Sequence, residues 1–93
     1  MLINPQTSLT NRLLLLWLID DASKKGSIGL TKTQKLTFLS QYEMMKRNEK
    51  GFSYNFTKYP MGPVSEELKM DVDYLNKHQL IDITLYKVKD HQD

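Results

Sequence analysis

Leu13 to Ile19 is an unbroken apolar run, and the residues around it punctuate it as a helix. Ser8 or Thr10 stands where an N-cap belongs, and Lys24-Lys25 then Gly26 stand where a helix ends, which predicts a helix from about residue 10 to about residue 23. Such a helix is apolar on every side. A monomer of this size buries one stripe of it and rarely the whole circumference, so Leu14, Trp17 and Leu18 are expected to meet a second copy in a homodimer. Residues 1–10 show no periodicity and are expected to form a loose arm.

Ser27 to Leu30 reads as a short extended piece, with Thr31 as the next N-cap. From Lys32 to about Lys50 the pattern is helical again. Leu36, Phe38, Leu39, Tyr42 and Met45 share one broad face, most of the basic residues lie elsewhere, and Gly51 is expected to stop the helix. Phe52, Tyr54 and Phe56 then alternate with Ser53, Asn55 and Thr57, the period of a half-buried strand.

The stretch Tyr59 to Leu68 turns that strand pattern into a third helix. Pro60 suits the second position of a type I turn and Gly62 the fourth, while Pro63 holds Gly62 out of the helical region. Ser65 is placed to cap, with Glu66 and Glu67 at the positive end of the helix dipole. Val64, Leu68, Val72 and Leu75 make one stripe toward the core. Leu80 to Val88 follows as a second strand with Ile81, Ile83 and Leu85 on one side, and residues 89–93 form a polar tail.

Ninety-three residues allow one domain with one core. With no cysteine, neither a disulfide nor a thiolate zinc site is available, which suits a cytoplasmic protein. The apolar run is too short for a membrane span, and Asp20-Asp21 follows where a signal peptide needs small residues. The formal net charge of +2 conceals a split: residues 22–58 carry eight basic side chains against Glu43 and Glu49, and residues 59–82 five acidic ones against Lys69 and Lys77. A dipolar surface is expected.

The element order, with the third helix running directly into a strand, resembles a winged helix. More narrowly, Lys32-Thr33-Gln34-Lys35-Leu36-Thr37-Phe38-Leu39, then Phe56, then Tyr59…Gly62-Pro63-Val64-Ser65…Leu68 and Leu75…Leu80-Ile81, resembles the SocA-like antitoxin domain, also called Panacea. Gln79 stands where that family carries a glycine, and Met61 where it often has an aromatic residue. The resemblance implies a small winged-helix-like α/β (α+β) domain, with three helices and a short two- or three-stranded antiparallel sheet. It implies a regulator that grips another protein or binds DNA.

Catalysis has little footing. His78 and His91 have no orienting partner nearby in sequence, Glu66 and Glu67 point apart on a helix, and no spacing suggests metal ligands, a phosphate loop or any cofactor. A DNA-binding regulator would contact double-stranded DNA through Lys32, Lys35, Lys46, Arg47, Lys50 and Lys58, with Ser65 and Lys69 from the third helix and Lys87 from the wing. Against this, Glu66, Glu67, Asp71 and Asp73 on that helix repel phosphates. The alternative is an antitoxin-like interaction module that holds a toxin-like protein through Met61, Glu66, Glu67, Met70 and Tyr74.

Overall fold

A computed structural model of the chain describes residues 5–26, 28–82 and 87–88. Its elements are α1 (Pro5–Lys25), α2 (Leu30–Lys46), β1 (Thr57–Tyr59), β2 (Gly62–Val64), α3 (Glu66–Lys77), β3 (Ile81–Asp82) and β4 (Lys87–Val88). The expected α+β class and its three helices are present, with two separate two-stranded antiparallel ladders, β1–β2 and β3–β4. Residues 83–86 and 89–93, and with them Ile83, Leu85 and the polar tail, lie outside the described residues.

α1 begins five residues earlier than Thr10, so the expected arm is helical from Pro5, and Ser8 and Thr10 lie inside the helix rather than capping it. Proline at the first helical position explains the start, since its missing N–H would have no helical partner there and its φ is already suitable. At the other end Lys24 pairs with Asp20 at 3.1 Å and Lys25 with Asp21 at 3.2 Å, each acid one turn before its base. The helix packs on α2, α3 and β4. It buries Leu15, Leu18 and Ile19, half-buries Leu14 and Leu16, and leaves Leu13 and Trp17 in solvent. Of the three residues expected at a dimer contact, Leu18 therefore belongs to the core and Leu14 to its edge; only Trp17 faces out.

α2 starts at Leu30 and ends four residues before Lys50. Asn48, not Gly51, supplies the left-handed residue that closes it, with φ +56, and the Glu49 N–H reaches the Met44 carbonyl at 2.8 Å. Gly51 lies against the flexible Met44 side chain, whose sulfur would have to move aside for a Cβ there. The same closure ends α3: Gln79 takes φ +59 and the Leu80 N–H bonds the Leu75 carbonyl at 2.8 Å. The left-handed cap forms without glycine, at a cost of about 1 kcal/mol.

Phe52, Tyr54 and Phe56 do alternate inward with Ser53 and Asn55 outward, but among the described residues the segment pairs with no strand. The ladder begins one residue later. Thr57, Lys58 and Tyr59 oppose Val64, Pro63 and Gly62, leaving Pro60-Met61 as a two-residue loop. Gly62 has φ +125, which a side chain would strain. Val64 is thus a strand residue, and α3 starts at Glu66 behind the Ser65 cap, whose hydroxyl accepts the Leu68 N–H at 3.2 Å. Leu68, Val72 and Leu75 meet Leu15, Leu18 and Ile19 of α1, with Phe52, Tyr54 and Ile81 completing the core.

The face of α2 is reversed from expectation in part: Leu36 is half-buried against the core and Phe38 half-buried edge-on to Phe56, but the rest of the expected face turns outward. Its buried residues are Thr33, Gln34 and Thr37, while Leu39, Tyr42 and Met45 are exposed. Two glutamines seven residues apart explain the reversal. The Gln34 amide donates to the Ser65 carbonyl at 3.2 Å and accepts its N–H at 2.9 Å. Gln41 does the same for Tyr54, both bonds at 2.8 Å. Backbone that no described strand pairs is satisfied from the helix, because buried backbone groups left without partners are costly.

Candidate interaction surface

Folding the hairpin back against the start of α2 creates an open apolar groove of about 750 Å³. One wall is Leu30 and Thr31; the other is Tyr59, Pro60, Met61 and Pro63. Three of these apolar side chains face solvent, with Leu30 37%, Tyr59 55% and Met61 84% exposed. Through Leu30, Thr31 and Met61 the groove continues into a second depression bordered by Lys32, Lys35 and Leu39. Glu66 and Lys69 close its far end and neutralise one another at 3.5 Å. Lys32 and Lys35 make no ion pair among the described residues and are exposed.

The expected nucleic-acid residues are spread along the length of α2 and beyond it. Lys32 and Lys35 lie at the start of α2, while Lys46 and Arg47 lie at its end, about 21 Å from Lys32 at the rise of a helix. Lys46 is paired with Glu43 at 3.7 Å and Arg47 with Glu49 at 3.9 Å. Ser65 is fully buried as a cap, so it reaches no phosphate. Lys50 and Lys58 are exposed, and the Lys87 side chain lies outside the described residues.

The expected partner residues also divide. Met61 and Glu66 belong to the groove, but Met70, Tyr74 and Glu67 line a separate depression of about 290 Å³ between α1 and α3. The Glu67 carboxylate is half-buried and accepts the Asn55 N–H at 2.9 Å. Tyr74 lies between the Arg12 guanidinium, 3.7 Å above its ring, and the His78 ring at 4.2 Å. Most of the acidic charge of α3 is therefore engaged within the domain.

Arg12, Tyr54 and Asp71, which also line the depression between α1 and α3, form a polar tether the sequence did not announce. Asp71 is buried, accepts the Tyr54 hydroxyl at 2.6 Å through one oxygen and pairs with Arg12 at 3.0 Å through the other. Burial, reinforced by the neighbouring Asp71 carboxylate, pushes the Tyr54 phenol far above its ordinary range, so it keeps its proton and donates. A group poised for proton transfer near neutral pH would need the opposite tuning. The signal was available: Asp71 falls on the same stripe as Leu68, Val72 and Leu75, and a carboxylate on a core stripe demands a partner.

Among the described residues, no cluster of side chains could hold a metal ion, and no helix is long and apolar enough to cross a membrane. Compared with known proteins, the chain matches no family model, no curated protein and no solved structure.

Proposed function

We propose that the protein is a cytoplasmic regulator that acts by binding another protein rather than by catalysis, with the hairpin groove as its grip. The observation that carries this is an apolar groove that continues into a depression lined by Lys32 and Lys35, neither of which makes an ion pair among the described residues. Groove walls of Leu30, Tyr59 and Met61 call for apolar side chains, and Lys32 and Lys35 call for carboxylates beside them. The partner is accordingly an amphipathic segment with acidic flanks, not the basic face that the charge of α3 alone suggests. The resemblance to the SocA-like domain fits a protein-gripping role, and the scattering of the basic residues favours it over duplex DNA.

Selection from a displayed library of random peptides tests the proposal. Enriched peptides should combine apolar residues with Asp or Glu and lose binding to Met61→Glu and to the Lys32→Glu/Lys35→Glu pair. Enrichment of basic peptides, or binding indifferent to Met61→Glu, overturns it. Salt-sensitive binding of a random-sequence duplex that weakens on loss of Lys32 and Lys35 establishes the DNA-binding alternative.

A further inference from the structure

A second apolar surface lies on α1, apart from the groove and independent of its function. Leu9, Leu13 and Trp17 are 58%, 59% and 66% exposed and stand four residues apart, so they form a single ridge along the helix. We propose that this ridge packs against the same ridge of a second copy, antiparallel, with the two-fold axis at Leu13.

The ridge is its own complement. Leu9 and Trp17 lie at equal spacing on either side of Leu13, so an antiparallel partner sets Leu9 against Trp17 twice and Leu13 against itself. Charge permits self-association as well. Between Pro5 and Ile19 the only charged side chain is Arg12, which is drawn inward onto Asp71 and Tyr74, so like charges do not oppose each other across the axis. A contact of one ridge per copy lies below the usual size of a stable interface, so a dissociation constant on the order of 10 µM is expected.

Trp17 is the chain's one tryptophan, which gives a direct readout. On raising the concentration of the whole chain, sedimentation should show monomer converting to dimer, with Trp17 emission moving to shorter wavelength over the same range. Leu13→Glu and Leu13→Lys, each with unchanged circular dichroism, should be monomers whose dissociation constants rise at least about tenfold, by repulsion at the axis. Mixed in equal amounts, they should form a heterodimer. A wild-type chain still monomeric at about 500 µM, a Leu13→Glu variant that still dimerises, or a mixture that stays monomeric each overturns the proposal.

Discussion

α3 and α2 lie in the same small domain and solve opposite problems. α3 buries Leu68, Val72 and Leu75, holds Asp71 among them through Tyr54 and Arg12, and leaves most of its other polar residues outside. α2 buries Thr33, Gln34 and Thr37 and exposes Leu39, Tyr42 and Met45. The difference lies in what each helix faces. α3 meets the apolar side of α1, whereas α2 meets the hairpin, the Ser65 cap and the 52–56 segment, where the Ser65 and Tyr54 backbone groups take their hydrogen bonds from Gln34 and Gln41. Hydrophobic periodicity decides a helix's orientation only when the opposing surface is itself apolar.

Substitutions on the two helices separate these roles. Leu68→Ala should cost about 3 kcal/mol, because the side chain is fully buried and the core around it cannot close the cavity; chemical denaturation measures it. Gln34→Ala should cost about 2 kcal/mol although it removes a polar residue, since the Ser65 N–H and carbonyl lose their partners in a fully buried site. A loss below about 0.5 kcal/mol there would falsify the account of why α2 is reversed.

The tether joining α1, α3 and the 52–56 segment should show in alkaline solution. The Tyr54 phenol is raised in the folded state, so its contribution is complete below about pH 10, where the unfolded tyrosine begins to ionise, and is lost as pH rises further. Stability should fall by up to about 1.4 kcal/mol per pH unit above that point from this group. Tyr54→Phe should make the decline shallower, and parallel wild-type and variant profiles would remove Tyr54 from the explanation. The smallest effect belongs to the outer face of α2: Leu39→Ala should shift stability by no more than about 0.5 kcal/mol, in contrast to the same change at Leu68.

What the sequence disclosed was local. The Pro60-to-Gly62 turn, the Ser65 cap and the stripe Leu68–Val72–Leu75 depend on residues within a few positions of one another, and all three are present. The alternation of Phe52, Tyr54 and Phe56 correctly gave their facing, yet period two says nothing about which group accepts the hydrogen bonds, and Gln41 takes them. Met61 was legible as a candidate partner contact, although a methionine at that turn reads equally as a core-edge residue. Leu30, Tyr59 and Pro63 were not recognisable as its neighbours, because only the fold-back of the hairpin onto α2 brings them together. Asn48 and Gln79 closed helices where glycine was expected, as the closing bonds outweigh the cost of a side chain there.

The paired bonds from Gln34 and Gln41 have a kinetic consequence. The amide protons of Ser65 and Tyr54 belong to no helix or ladder, and in an ordinary loop they would exchange with solvent rapidly. Here each is held by a side chain of α2, at 2.9 and 2.8 Å, so each is released only when that helix swings away. Two protected amides in irregular backbone thus act as a built-in clock for the detachment of α2, with exchange rates that follow the opening of this one helix.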